Sequence, residues 1–157
     1  SYSVTGVQTC ALPISTDIRV AVTEAFFSLS EVKWGLFPTA GSSVRLARQI
    51  PYAWAMEILL TGDPISADQA LRIGLINRVV PRNKLMETAV AFAERLSNNG
   101  PLAVQAVKES VLRSYDVPAT QAYYLEAFLA QGVFLSEDAR EGPRAFVEKR
   151  TPDFKGK

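Results

Sequence analysis

Histidine is absent from this sequence of 157 residues, and cysteine occurs once, at Cys10. The lack of histidine excludes Ser-His-Asp and Cys-His catalytic units, histidine metal sites and a histidine acid–base switch within the chain. A lone cysteine excludes an internal disulfide and a zinc cluster of thiolates. Catalysis by these residues must therefore use carboxylates, lysine, tyrosine, hydroxyl groups or the backbone.

An excess of charge of one sign and long apolar runs are also missing. Seventeen basic residues stand against sixteen acidic ones, so the formal net charge is +1 and there is no basic stripe typical of nucleic-acid binding. No apolar run has the length needed to span a bilayer. With 48% hydrophobic and 21% charged residues, the composition is that of a globular protein. We expect a cytoplasmic location and no metal, nucleic-acid or membrane partner.

The first fifteen residues lack the periodic patterns of apolar residues that the rest of the chain has. The stretch from Val4 to Ile14 has neither helical nor strand periodicity, and it resembles the translation of a sequencing adapter. We expect residues 1–15 to be a non-native remnant of cloning or assembly, in which case Cys10 is not native. The alternative is a genuine disordered arm.

From Thr16 onwards the patterns predict an α/β fold. Apolar residues alternate from Ile18 to Val22, which favours a strand, and further short strands are predicted at 26–29 and 75–80. Pro51 and Gly62 bracket a predicted helix. The hydroxyls of Ser42 or Ser43 are candidates to cap another. Ser66-Ala-Asp-Gln69 has the spacing of a capping box, in which the hydroxyl and the amide each accept a backbone N–H.

After Pro81 the sequence predicts helices almost exclusively. One apolar stripe runs from Leu85 to Leu96 and favours a helix that ends at Asn98-Asn-Gly100, and Pro101 opens a second helix with an apolar side from Leu102 to Val111. A third helix is expected from about 118 to 134, and a last one is expected to begin at Ser136 and to be bent or interrupted at Gly142-Pro143. These helices are rich in Tyr, Phe and Leu but have little sheet to pack on. Either they form their own bundle or they pack against another chain.

Several segments together resemble the enoyl-CoA hydratase (crotonase) family. The segments are Glu31-Val-Lys-Trp-Gly-Leu-Phe-Pro38 with Gly41, Arg45 and Leu46; Ala55-Met-Glu-Ile-Leu-Leu-Thr-Gly62; Gly74-Leu-Ile-Asn-Arg-Val-Val-Pro81; Asn99-Gly-Pro-Leu-Ala103; and Ser136-Glu-Asp-Ala-Arg-Glu-Gly142 with Ala145 to Arg150. The resemblance is continuous from Thr16 to Lys157, in order and with similar spacings. It is therefore much more specific than one short motif.

The resemblance implies the C-terminal part of a ββα spiral, at residues 16–99, followed by a helical trimerisation region at 100–157. It also implies an acyl-CoA substrate whose thioester oxygen lies in an oxyanion hole of two backbone N–H groups. Two glutamates would add water across the 2,3 double bond of an enoyl-CoA. Coenzyme A would be part of the substrate, so no separate cofactor is expected, and the protein would be a homotrimer or a dimer of trimers.

Glu31 occupies the position of the glutamate that resembles the proton donor. A glutamate near a strand end is more often a solvated surface group, but the surrounding motif reverses this preference. Its apolar neighbours Val32, Trp34, Leu36 and Phe37 are expected to exclude water from its carboxylate partly. The other catalytic glutamate would fall at Ala11 and the oxyanion glycine at Gln8, both inside the suspected remnant. We therefore expect this chain alone to be a truncated and inactive fragment.

Four further residues are candidates for substrate binding by resemblance. Thr39 and Gly41 lie in a loop that often carries a run of glycines in the family, and they would border the active site if φ in this loop stays negative. Phe146 and Lys149 match positions that reach the adenine end of coenzyme A in a neighbouring subunit. The alternatives are a helix-capping turn for the loop, and a core Phe with a solvated Lys for the second pair.

Three functions remain open from the sequence. The first is enoyl-CoA hydration, and the retained Glu31 favours hydration or dehydration chemistry. The second is another reaction of the family, namely double-bond isomerisation, carnitinyl-CoA dehydration or thioester hydrolysis. The third is a non-catalytic oligomerisation fragment, to which Tyr123 and Tyr124 would contribute packing or subunit contacts, as would Trp34 and Trp54.

Overall fold

A computed structural model of the protein describes residues 13–157. The contacts divide the chain into two compact units, residues 1–89 and 90–157. The family resemblance places this boundary at residue 99. The assignment of residues 16–99 to a spiral core and of residues 100–157 to an oligomerisation region stays a prediction. Gln8, Cys10 and Ala11 lie outside the described residues.

The first unit combines short strands with short helices. Two of its strands pair in parallel, with Val20 opposite Arg78 and Val22 opposite Val80, and the other two pair antiparallel, with Phe27 opposite Ile65. The strands are shorter than predicted, and residues 75–77 form bends and irregular backbone ahead of the last strand. The elements are β1 (Val20–Val22), β2 (Phe26–Phe27), α1 (Ser42–Gln49), α2 (Tyr52–Thr61), β3 (Ile65–Ser66), α3 (Ala67–Arg72) and β4 (Arg78–Val80), with 3₁₀ turns at Pro13–Ser15, Ser30–Trp34 and Arg82–Lys84.

Apolar side chains from every part of this unit form one buried cluster. Leu29 and Leu46 are fully buried, and Ile14 is 1% exposed. The Ile14 carbonyl also accepts a hydrogen bond of 2.9 Å from Gln49 Nε2. Residues 13–15 are therefore an ordered part of the fold, contrary to the expectation that residues 1–15 stand outside it. Their origin stays a prediction.

The helix boundaries of this unit follow local chemistry in two cases and depart from it in one. Gly62 ends α2 in the left-handed conformation, and both hydrogen bonds of the Ser66–Gln69 capping box are formed, so these predictions are confirmed. The prediction that Ser42 or Ser43 caps α1 is wrong. Ser42 is the first residue of α1, and its Oγ donates 2.8 Å to the Thr39 carbonyl instead of accepting a helix N–H.

The second unit is helical. It contains the end of α4 (Leu85–Ser97), followed by α5 (Pro101–Ser114), α6 (Ala119–Phe134) and α7 (Asp138–Glu148), and α5 packs against α6. No residue of α5 or α6 is fully buried. The Gly142-Pro143 pair does not interrupt the last helix, because α7 runs through Pro143, and a bend at this pair stays a prediction. Pro143 lies in the middle of α7 and removes one bond of the helix ladder, because it has no backbone N–H. At the start of the helix, Ser136 Oγ accepts the Ala139 N–H at 3.1 Å.

The last residues of the chain fold back onto α7. The Asp138 carboxylate is 6% exposed and accepts the backbone N–H groups of Lys155 at 2.7 Å and Gly156 at 2.8 Å. A Cβ at Gly142 would stand 3.6 Å from the Phe154 ring, so the ring packs over this glycine. We call residues 151–157 the C-terminal tail. Polar and aromatic contacts together hold it against the start of α7.

Candidate active site

Glu31 lies in a single 3₁₀ turn, Ser30–Trp34, which we call the Glu31 turn. The fully buried Leu29 precedes it, and Gly35 ends it in the left-handed conformation with φ of 69°. The Leu36 N–H donates to the Glu31 carbonyl at 3.0 Å, and the Gly35 N–H donates to the Val32 carbonyl at 3.2 Å. The turn is thus anchored at both ends, which fixes the backbone that carries the glutamate.

The carboxylate of Glu31 is the unusual group of this turn. Its Oε2 is buried and has no hydrogen-bond partner in the part of the chain that the structure describes. A buried polar atom without a partner costs free energy, and native proteins rarely keep one without a role. The side chain as a whole is only half-buried. Chemically, such an oxygen can carry a proton to a bound molecule or accept one from it.

The apolar neighbours of Glu31 in sequence lie mostly in solvent. Trp34, Leu36 and Phe37 are 78%, 63% and 72% exposed, respectively, and Val32 is half-buried. The expectation that these side chains partly exclude water from the carboxylate stays a prediction. Trp34, Leu36 and Phe37 form an exposed apolar surface that directly follows the glutamate in sequence.

The loop after the buried Pro38 carries Thr39 and Gly41. The Thr39 carbonyl accepts both the N–H of Ser42 at 3.1 Å and its hydroxyl at 2.8 Å, while the Thr39 residue is exposed. Ala40 has φ of 55° and Gly41 has φ of 78°. The condition that φ stays negative throughout this loop therefore fails at Ala40, a non-glycine residue in the left-handed region. Only Gly41 adopts that conformation without side-chain strain.

The structure places the five candidate residues on two units. Glu31, Thr39 and Gly41 belong to the first unit, where the Glu31 turn and α1 each pack against α2. Phe146 and Lys149 belong to the second unit, at the end of α7, where Lys149 ends the helix with φ of 53°.

Phe146 is 85% exposed, so the alternative that it is a core residue is wrong for this chain. The two candidate adenine contacts lie close together along the helix, because the Lys149 N–H donates to the Phe146 carbonyl at 3.2 Å. Trp34, Tyr123 and Tyr124 are also largely exposed, whereas Trp54 packs partly buried against the core of the first unit.

Sequence reasoning missed the residues that hold the Glu31 turn in place. Ser28 is 4% exposed, and its Oγ donates 3.1 Å to the Gly62 carbonyl. Lys33, inside the turn, forms an ion pair with Asp63. Gly62 was recognised only as a helix end. No signal in a single sequence pairs residues that lie this far apart, because their contact depends on how α2 packs.

Charged groups in the second unit form a network between α7 and Arg150, which lies two residues beyond the end of the helix. The Arg150 guanidinium, which donates to both carboxylate oxygens, and the N–H of Asp153 hold the pKa of Glu141 at about 2. Hydrogen bonds from Arg144 and Arg150 lower the pKa of Glu148. The same carboxylates raise the pKa of Arg150. This network stabilises the end of α7.

Residues 13–157 contain neither a helix suited to a membrane nor a cluster of metal ligands. None of the helices in this range is long and apolar enough to cross a membrane. The same residues bring together no group of three or more Asp, Glu, Cys or His side chains that could hold a metal ion.

Comparison with known proteins gives consistent matches. The family model described as enoyl-CoA hydratase/isomerase matches residues 6–157. An enoyl-CoA hydratase of Mycobacterium tuberculosis, EchA19, is 49% identical over 142 residues, which are 90% of this chain and 53% of that protein. A carnitinyl-CoA dehydratase of Salmonella typhi is 40% identical over 150 residues, or 93% of this chain and 58% of that protein.

A solved structure gives the same result at the level of the fold. The crystal structure of an enoyl-CoA hydratase from Mycobacterium tuberculosis H37Rv superimposes with a TM-score of 0.90 at 38% identity, covering 93% of this chain and 58% of that one. The chain thus spans a little over half the length of the relatives it matches. The family match begins at residue 6, inside the segment expected to be non-native.

Proposed function

Because the chain belongs to the enoyl-CoA hydratase/isomerase family, we propose that its site serves the addition of water across the 2,3 double bond of an enoyl-CoA thioester, with Glu31 as the proton donor. The observation that supports this role is the buried, unpartnered Oε2 of Glu31 on an anchored turn. Coenzyme A is then part of the substrate and no separate cofactor takes part. The reaction balances with two proton transfers: the water oxygen bonds to C3, Glu31 gives its proton to C2, and a second base takes a proton from the water.

The chain by itself has only half of the groups that this chemistry requires. The resemblance assigns the oxyanion glycine to the position of Gln8 and the second glutamate to the position of Ala11, whose methyl side chain cannot act as a base. We therefore expect purified chain to hydrate crotonyl-CoA no faster than buffer. The ultraviolet absorbance of the conjugated thioester reports the reaction directly. Turnover above the buffer rate would show that these residues suffice and would overturn the proposed inactivity.

The role of Glu31 is best tested in a chimera. In this chimera, residues 16–157 replace the matching part of the Mycobacterium tuberculosis relative EchA19, and the remaining sequence is that of EchA19. We expect the chimera to hydrate crotonyl-CoA and Glu31→Gln to lower its kcat by roughly 10²- to 10⁴-fold with little change in acyl-CoA affinity, because a positioned general acid contributes about this much. Glu57→Gln, an exposed glutamate of α2, is the matched control. Wild-type turnover in Glu31→Gln would remove Glu31 from the mechanism.

The same resemblance suggests a separate acyl-CoA contact for each unit. Thr39 and Gly41 would border the acyl end, and Phe146 and Lys149 would reach the adenine end of coenzyme A bound to a neighbouring subunit, through an aromatic face and an ammonium group. The exposure of the Phe146 ring supports this role, because a stacking partner must be accessible. Phe146→Ala in the chimera is expected to raise KM for the CoA ester and to leave kcat unchanged. Val147→Ala, also exposed, is the control, and equal KM values for the two variants would contradict the assignment.

The helical unit supports self-association into a homotrimer or a dimer of trimers. Helices α5 and α6 border a groove of about 490 Å³, lined mostly by apolar side chains including Val107, Val111 and Tyr123. Tyr124 and Phe128 on α6 are 79% and 72% exposed. Exposed apolar surface of this kind marks an interface more often than a free surface. Light scattering should give the mass of three or six chains, and Phe128→Glu should lower it; a monomeric wild type would contradict the proposal.

Carnitinyl-CoA dehydration is the second candidate function. The Salmonella typhi relative of that name is 40% identical over 150 residues, which is the observation in its favour. Dehydration runs the same proton transfers in reverse, so the retained Glu31 fits both reactions. Comparing the kcat/KM of the chimera for crotonyl-CoA and for carnitinyl-CoA separates them.

A further inference from the structure

We propose that Gly62 is a positioning residue for Glu31, because the missing side chain lets the end of α2 seat directly against the Glu31 turn. This inference rests on the proposed role of Glu31 as proton donor. It concerns a residue that touches neither substrate nor reacting atoms, and acts only through the turn.

The first observation is a close approach between two backbones. A Cβ added at Gly62 would stand 3.2 Å from the Leu29 carbonyl oxygen, 3.2 Å from Ser30 Cα and 3.2 Å from Lys33 Cγ. Two of these atoms belong to the backbone immediately before Glu31. Backbone cannot swing aside as a flexible side chain can, so the turn would have to move by a few tenths of an ångström. Since Glu31 directly follows Ser30, its side chain would move too.

The second observation is that both the N–H and the carbonyl of Gly62 form hydrogen bonds. Its N–H donates 3.1 Å to the Ile58 carbonyl, which ends α2, and its carbonyl accepts the buried Ser28 hydroxyl at 3.1 Å. The Asp63 N–H also donates to Thr61 Oγ1 at 3.1 Å, which fixes the next residue. The position of α2 is thus transmitted through Gly62 to the segment that carries Glu31. A displacement of about 1 Å at a reacting group costs on the order of a hundredfold in rate, so this contact matters for the proposed chemistry.

The chain offers a matched control for the conformational strain. Gly62 has φ of 66° and Gly74 has φ of 80°, so alanine is strained at both positions. A Cβ at Gly74, however, meets no atom within 4 Å. Gly74→Ala therefore adds the strain without the close approach, and Gly62→Ala adds both.

The test is carbon NMR of the full chain labelled at the side-chain carboxyl carbon of glutamate, with Glu31→Gln assigning the Glu31 resonance by its disappearance. We expect Gly62→Ala to shift this resonance by more than its linewidth, and Gly74→Ala to leave it in place although both variants lower Tm. Ser28→Ala removes the hydroxyl without adding an atom and should shift the same resonance, so it decides the question if Gly62→Ala does not fold.

An unmoved Glu31 resonance in the folded variants at Gly62 and Ser28, or an equal shift in Gly74→Ala, would overturn the positioning role. A role in stability alone would change Tm without moving the resonance selectively. The outcome is independent of the hydration assay: an inactive chimera or an active Glu31→Gln variant refutes the proposed function, and neither result alters the NMR comparison.

Discussion

Asp138→Asn should release the C-terminal tail from α7. Both carboxylate oxygens of the buried Asp138 accept a tail N–H, at 2.7 Å from Lys155 and at 2.8 Å from Gly156. Asparagine keeps one acceptor oxygen but presents an NH₂ donor to the second N–H, so one hydrogen bond to a charged group is lost. Such a bond contributes about 1.5–3 kcal/mol. Local opening of the tail should therefore become about ten- to a hundredfold more frequent.

Amide hydrogen exchange of Lys155 and Gly156 measures this opening directly. Asp153→Asn is the matched control, because Asp153 is an exposed tail residue whose side chain is 73% accessible and pairs with the exposed Lys155. A surface pair contributes at most about 1 kcal/mol, so this control should accelerate exchange by no more than about fivefold. Equal exchange rates in Asp138→Asn and Asp153→Asn would refute the claim that the buried carboxylate holds the tail.

Three further predictions concern stability. The pKa of Glu141 is lowered from 4.5 to about 2, so its contribution to the free energy of unfolding is complete above pH 4.5 and is lost as pH falls towards 2. Glu141→Gln should remove this part of the acid sensitivity. The measurement is a comparison of urea unfolding curves between pH 5 and pH 2. Leu46→Ala, at a fully buried position, should lower the free energy of unfolding by about 2.7–5 kcal/mol in urea titrations. Ser66→Ala breaks the capping box of α3 and should cost about 0.5–2 kcal/mol in the same titration.

Controls for these variants come from the same elements. Val44→Ala lies on α1 like Leu46 but is 56% exposed, and such surface changes stay within about 0.5 kcal/mol. Equal losses in Leu46→Ala and Val44→Ala would contradict the assigned core. If the Glu141→Gln variant kept the acid sensitivity of the wild type, the hydrogen bonds between Glu141 and Arg150 would not persist in solution.

Features that depend on neighbours a few residues apart can be predicted from the amino-acid order alone. Pro51 and Gly62 mark the ends of α2, and the capping box predicts the start of α3, because each signal acts within one helical turn. The family resemblance, carried by ordered segments along the chain, also fixed the α/β fold class and singled out Glu31 before any geometry was known. It made no distinction between the hydratase and dehydratase reactions, since both use the same glutamate.

How Glu31 is held depends on contacts between residues that are far apart in the chain. The contact of Ser28 with Gly62 spans 34 positions, and that of Asp138 with Gly156 spans 18. Local propensity cannot specify such pairs, because they exist only after the helices have packed. Packing also reversed one local expectation, the cap at Ser42, whose buried hydroxyl donates to the Thr39 carbonyl instead.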